Sequence, residues 1–263
     1  MDKGTRKRIW DYLEGFMQGL VNKYDPDVVK NEVLKKEFFS EKKGEYKPFH
    51  MALIPEEFLR IQSFFRSFST SLGQGVFEYI AKIIAEDSSL WDDVKRNARF
   101  VATASPNVQS FVDDYLEKLE RKVVKPSTNV EIPEPENDAK KEIVVDLYLR
   151  KDDKDYFLEI KSPKPNKDQT RRTKEKFLYL RASPWFNAIT FYAFPYNPFG
   201  ESKENYRWSF TKMFFSMDEL LIGQEFWDFL GGTGTYLELL ELFREFGKKR
   251  GREIVRKIFR SYP

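Results

Sequence analysis

The chain has 263 residues, with 45 Lys+Arg, 42 Asp+Glu, one His and no Cys. One histidine (His50) excludes a multi-His metal site, and the lack of cysteine excludes zinc–thiolate sites, thiol catalysis and disulfides. Any chemistry then rests on carboxylates, lysines and a hard metal ion, because a Ser-His-Asp triad would have to run through His50, which has no elbow-like serine motif near it.

Apolar residues make up 41% and aromatics 16%, enough for a sizeable core. No apolar run approaches the ~18 residues of a membrane span. The charged start MDKGTRKRIWDYLEG lacks the apolar stretch of a signal peptide. These features describe a soluble, cytoplasmic protein without a membrane partner. The net charge is only +3, but basic residues cluster over 161–176 and 248–260, and clustering is what nucleic acid reads. Six glutamines against abundant Lys and Glu resemble a thermophile's composition.

In chain order, Ile9, Tyr12, Leu13, Phe16 and Leu20 form an apolar stripe that predicts a helix over 5–20. A second helix is expected after Asp25-Pro26, and a loop over 40–50. Pro55 suits the first turn of a helix through Phe58, Ile61 and Phe65. Residues 70–86 carry Val76, Phe77, Ile80, Ile83 and Ile84 at helical spacing, with Glu78 inside the apolar run. A helix over 107–122 precedes a loop rich in Pro and Ser.

Strands are predicted over 142–150 and 155–161, then a helix over 167–181 and a strand over 186–194. A loop over 195–206 leads to helices at 218–221, 224–230, 236–246 and 252–259. Gly231-Gly232-Thr233-Gly234 lacks the Gly-Lys-Ser/Thr of a Walker A motif and reads as a turn between helices. The expected architecture is a single α/β domain: a mixed central sheet flanked by helices (core 69–210), with helical N-terminal (1–68) and C-terminal (211–263) parts.

The chemistry concentrates in the hairpin. A two-residue turn at Asp152-Asp153 places Asp146 directly opposite Glu159, with Lys161 on the same face. That register also pairs Tyr148 with Phe157 and Val144 with Lys161. On the other face it pairs Val145 with Ile160, Leu147 with Leu158 and Leu149 with Tyr156. Opposed carboxylates repel, and a cation between them removes the penalty. Mg²⁺ favours a few carboxylate oxygens, waters and substrate phosphate, the set needed to hydrolyse a phosphodiester. The tripeptide [DE]-x-K occurs eight times, but only Glu159-Ile160-Lys161 lies on an apolar-flanked strand with an acid in register. The alternative is a solvated hairpin whose polar face meets water.

Asp146, Glu159, Ile160 and Lys161 resemble the active-site signature of the PD-(D/E)xK nuclease superfamily, although Val145 stands where a proline often precedes the Asp. The resemblance implies that Asp146, Glu159 and the main-chain carbonyl of Ile160 bind Mg²⁺ and that Lys161 contacts the water or phosphate. Glu78 resembles a glutamate on the helix before the first core strand of many such enzymes. Asn166 or Asp168 can cap the next helix, whose start then favours anions. Gln169 resembles a glutamine near the active site in some nuclease families. Lys164, Lys167, Arg171, Arg172 and Lys174 can contact phosphates. Tyr196, Asn197 and Arg207 sit in a polar, aromatic loop suited to reading bases.

The whole pattern is similar to type II restriction endonucleases. TSLGQGVFEYIA, EIKSPKPNKDQ and AFPYNPFG suggest the TdeIII-like subgroup, over about residues 70–245. This implies double-stranded DNA as substrate, a short palindromic site of the GGNCC type, a homodimer whose two-fold matches that palindrome, and a cognate DNA methyltransferase. A repair or junction-resolving nuclease on the same core, and a non-catalytic DNA-binding protein, are the competing readings.

Overall fold

The apolar stripe near the N-terminus folds as α1 (Lys3–Tyr24), burying Ile9, Leu13, Met17, Leu20 and Tyr24. Asp2 starts it by accepting the Thr5 N–H at 2.7 Å. The computed structural model describes residues 1–24 and 48–258, so the helix expected after Asp25-Pro26 and the loop over 40–47 lie outside the described residues. Pro48, Phe49 and His50 belong to a short helix, α2 (Pro48–Leu53), rather than to a loop. Pro55 then precedes α3 (Glu56–Ser71). Ring contacts of Phe16 with Phe68 and of Tyr24 with Phe64 fasten α3 to α1. The helix expected over 70–86 is not regular: Leu72–Val76 forms a π-helical turn at a Gly-containing stretch.

The chain divides into two compact units, one of residues 77–238 with Met1 and the other of 2–76 with 239–263. The larger unit opens with α4 (Phe77–Asp87) and β1 (Asp93–Thr103). β1 was not anticipated from the sequence. It is an edge strand of the five-stranded sheet, whose order is β1 to β5, and its charged residues Lys95, Arg96 and Arg99 mask any apolar alternation. Next come α5 (Pro106–Glu120), β2 (Lys140–Lys151) and β3 (Lys154–Ile160). Asp152 and Asp153 both take positive φ (47° and 58°), which makes the tight two-residue turn that matches strand twist.

α6 (Lys167–Ala182) crosses over to β4 (Ala188–Phe194), which runs parallel to β3. After α7 (Ser209–Phe214), residues 220–222 form β5 (Leu220–Ile222), parallel to β4, where a helix was expected over 218–221. Three buried apolar residues in a row carry no period, so only pairing with β4 makes them a strand. α8 (Gln224–Gly231) and α9 (Thr235–Phe246) follow, then α10 (Arg252–Ile258). In the smaller unit Trp10 of α1 meets Phe246 edge-on at 5.0 Å.

The sheet of the larger unit is covered on both faces. α5 and α6 share one core cluster with Ala98, Val145, Tyr148, Phe157, Tyr192 and Phe194. On the opposite face Phe229 of α8 packs against Tyr156 and Phe191, and α4 lies against β1 and β2. The result is a mixed α/β sheet flanked by helices, as the pattern of elements predicts.

The turn from α8 into α9 is packed without slack. A Cβ on Gly231 would stand 2.6 Å from Ile84 Cγ2 of α4 and 2.7 Å from Thr235 Oγ1. Gly231→Ala gains about 1 kcal/mol of helix propensity, but overpacking costs about 1–3 kcal/mol. We expect a net fall in thermal midpoint of roughly 2–6 °C by calorimetry. An unchanged or raised midpoint would show that α4 and α8 do not meet this closely.

Candidate active site

The β2–β3 ladder has the expected register, running from Lys151↔Lys154 to Leu147↔Leu158. It stops one step before Asp146 and Glu159. β3 continues alongside β4 instead, through Ile160↔Ala193. The Val144–Lys161 and Val145–Ile160 pairs expected from the hairpin are therefore absent from the ladder. The Ile160 N–H, freed from β2, donates to Asp146 Oδ2 at 2.8 Å. A side chain thus replaces a main-chain partner, and the hairpin opens at its mouth.

The other neighbour of β2 gives way at the same position. Arg96↔Leu147 and Ala98↔Val145 pair normally, while Asn97, opposite Asp146, is unpaired with φ 50°. Asparagine tolerates this left-handed conformation better than most residues. Val145 and Tyr148, three residues apart, share the core cluster under α5 and α6. Strict alternation would put them on opposite faces. Alternation therefore switches at Asp146, and Val145 does not join the apolar face of Leu147 and Leu149 as expected.

Lys161 Nζ bridges the two acids, 2.7 Å from Asp146 Oδ2 and 3.0 Å from Glu159 Oε1. Burial alone would lower the Lys161 pKa, but the Glu159 and Asp146 charges outweigh it and raise it above the ordinary value. Lys161 is therefore an ammonium in this arrangement. Glu159 is nearly buried, and its second oxygen, Oε2, accepts from Lys176 Nζ of α6 at 2.6 Å. Lys176 was not singled out from the sequence. It lies 17 residues beyond Glu159 on another element, and only the crossover brings it back.

Glu78 lies in the first turn of α4 and is buried. Burial, and next the charge of Asp146, raise its pKa to about 7, with Lys161 and Arg96 pulling the other way. Glu78 is thus coupled electrostatically to Asp146, Glu159 and Lys161. Among the described residues no three acidic or His side chains converge as a ready-made metal cluster. The donor set still suits a hard divalent cation, which takes as few as one or two carboxylates with water completing its shell. The charges of both carboxylates help to raise the Glu78 pKa, and Lys161 sits between them where a cation shared by the two would sit.

The expected DNA contacts divide in two. Lys174 is a correction: it is fully buried and paired with buried Glu219, so it faces no ligand. Lys167 and Arg171 both bind Glu120 of α5, at 2.8 and 3.1 Å. Gln169 completes a capping box with Asn166 at the start of α6, which makes Asn166 the cap residue. Asn197 spends its amide on the loop, donating to the Ser202 carbonyl at 2.7 Å and accepting the Phe199 N–H at 3.0 Å. Both arms a base would need are in use. Arg172 and Tyr196 are exposed. The Lys164 ammonium and the Arg207 guanidinium stand 5.2 and 5.3 Å from the Phe199 ring centre, beside the strand end that carries Lys161. Tyr206 and Trp208 donate to the carbonyls of Pro163 and Pro165 and strap that segment down.

The helix-flanked, five-stranded mixed sheet is of the restriction-endonuclease-like α/β kind. The family model described as type II restriction endonuclease, HinfI, matches residues 10–247, and the chain belongs to that family. It is 34% identical to the type II restriction enzyme HgiBI and 31% identical to HgiCII, both of Herpetosiphon aurantiacus, over 97% of this chain and of each relative. It is 27% identical to the type II restriction enzyme MjaII of Methanocaldococcus jannaschii over 76% of this chain and 62% of that protein. No solved structure matches the chain. The protein is a site-specific endonuclease of the restriction class, with DNA as its substrate. Among the described residues, no helix is long and apolar enough to cross a membrane.

The raised Glu78 pKa has a stability consequence of definite sign. The unfolded chain releases this proton near the ordinary glutamate value of 4.5 and the folded chain only near 7. Glu78 therefore opposes folding increasingly as pH rises from about 4.5 to 7, and fully above that. Glu78→Gln should stabilise the protein at pH 8 by on the order of 1–2 kcal/mol and have little effect at pH 4. Equal unfolding curves at pH 8 would show that Glu78 is not held in this environment.

Proposed function

We propose that this endonuclease belongs to the PD-(D/E)xK superfamily and hydrolyses both strands of duplex DNA with Asp146, Glu159 and Lys161 as its reacting centre. The observation that carries this is the bridge of Lys161 to both carboxylates where the β2–β3 ladder opens. Asp146, Glu159 and the Ile160 carbonyl would hold Mg²⁺, which when bound supplies a Lewis acid and a more acidic water. Asp146 also keeps β3 in place through the Ile160 N–H. Lys161, held as an ammonium beside both carboxylates, would offer its charge to a phosphate oxygen and orient the attacking water. Glu78, near its protonation midpoint at neutral pH, adds a third carboxyl that can take up a proton.

Lys164, Arg172, Arg207 and Tyr196 supply the exposed DNA contacts, with Lys164 and Arg207 gripping phosphate beside the strand end. A homodimer, a palindrome of the GGNCC type read by the TdeIII-like subgroup, and a cognate methyltransferase complete this reading. They rest on the resemblance of residues 70–245 alone.

Purified protein with Mg²⁺ should cut a sequenced plasmid into discrete fragments whose ends report the site. Asp146→Ala, Glu159→Ala and Lys161→Ala should each lower cleavage about 10²–10⁴-fold while leaving circular dichroism and DNA binding intact. Ca²⁺ should permit binding without cutting. Full activity in Asp146→Ala, or efficient cleavage in EDTA, would sink the assignment.

A further inference from the structure

The two oxygens of Glu159 are held by two different lysines. Oε1 faces Lys161 at 3.0 Å, and Oε2 faces Lys176 at 2.6 Å. The contacts differ in kind. Lys161 also touches Asp146, so it sits where a cation shared by both acids would sit. Lys176 touches Glu159 from the far side, on a different element. With Asp146 and Glu159 ionised, the two ammonium groups balance the charge of the two carboxylates.

The position of Lys176 is determined by the body of α6. Its neighbour Phe177 is buried, as is Thr173 one turn back. Lys174 forms a fully buried ion pair with Glu219, which fixes the rotation of the helix about its axis. The Asn166–Gln169 capping box fixes its start. The Lys176–Glu159 pair is itself sheltered, with side chains 23% and 8% exposed, so solvent screens it less than a surface pair.

We infer that Lys176 is a positioning residue of the catalytic centre, one that clamps Glu159 Oε2 so that Oε1 stays aimed at the divalent cation once Lys161 moves off. This rests on the reading of Asp146, Glu159 and Lys161 given above. Lys176 itself touches neither the scissile phosphate nor the water. Its positive charge also stands close to the cation site and opposes metal binding. The clamp therefore trades metal affinity for alignment.

The test is Lys176→Met, with Lys176→Arg as the conservative partner. Ca²⁺ binding is measured by calorimetry without DNA, and plasmid cleavage is measured in Mg²⁺. Losing the clamp should slow cleavage roughly 10–100-fold. Losing the charge should tighten Ca²⁺ binding by about 3–10-fold, since a like charge a few ångströms away is removed. Lys176→Arg should restore wild-type Ca²⁺ affinity and part of the cleavage rate. A merely structural lysine would weaken both together and lower the thermal midpoint, and that result overturns the inference. So does wild-type behaviour of Lys176→Met in both assays. Asp146→Ala separates the two levels: if it is inactive while Lys176→Met is unaltered, only the clamp fails. If Asp146→Ala still cleaves, the reacting centre itself is misassigned.

Discussion

Two carboxylates cannot share the mouth of one hairpin without a counter-charge, and the larger unit is arranged around that electrostatic constraint. Asp146 and Glu159 stand where the β2–β3 ladder has just ended. Lys161 answers both, Lys176 answers Glu159 alone, and the Ile160 N–H answers Asp146. The potential of the pair extends to Glu78, whose proton is held to about pH 7, chiefly by burial and then by Asp146. Under the proposed reading, a divalent cation held by Asp146 and Glu159 would take over the charge balance that the two lysines supply.

The backbone makes room for this by failing to pair at one residue. Asn97 leaves the β1 side of Asp146 unpaired, and β3 departs toward β4 on the other side. The surrounding ladder is intact, so the break is local and held on both flanks. Such backbone departures concentrate at functional sites, where the rest of the fold over-determines them. The switch of facing at this point also sends Val145 toward α5 and α6 while Leu147 stays on the other face.

Most of the basic residues after Lys161 have partners inside the protein. Glu120 takes Lys167 and Arg171, and Glu219 takes Lys174. These pairs fix α6 against its neighbours and so fix the direction of Lys176. The positive surface left for DNA is narrower than the count of basic residues suggests. Under the proposed reading it would centre on the exposed Lys164, Arg172 and Arg207, two of them near the Phe199 ring.

Local chemistry made part of this legible in the sequence. Period-2 alternation and the Asp152-Asp153 turn determined the hairpin and its register as far as Leu147 and Leu158, because a strand has only two faces and a two-residue turn leaves no slack. Helical spacing determined α1, α4 and α6, and Asn166 with Gln169 determined where α6 begins. The absence of Cys and the single His restricted the chemistry to carboxylates and lysine. Only tertiary structure decided the rest. β1 is a charged edge strand with no alternation to read, and β5 is three apolar residues that become a strand by pairing with β4. A charged residue looks the same in sequence whether it is solvated, buried or paired. Lys174 and Lys176, two residues apart, show this: one is sealed in the core against Glu219 and the other clamps Glu159, because packing of α6 aims them at different acids.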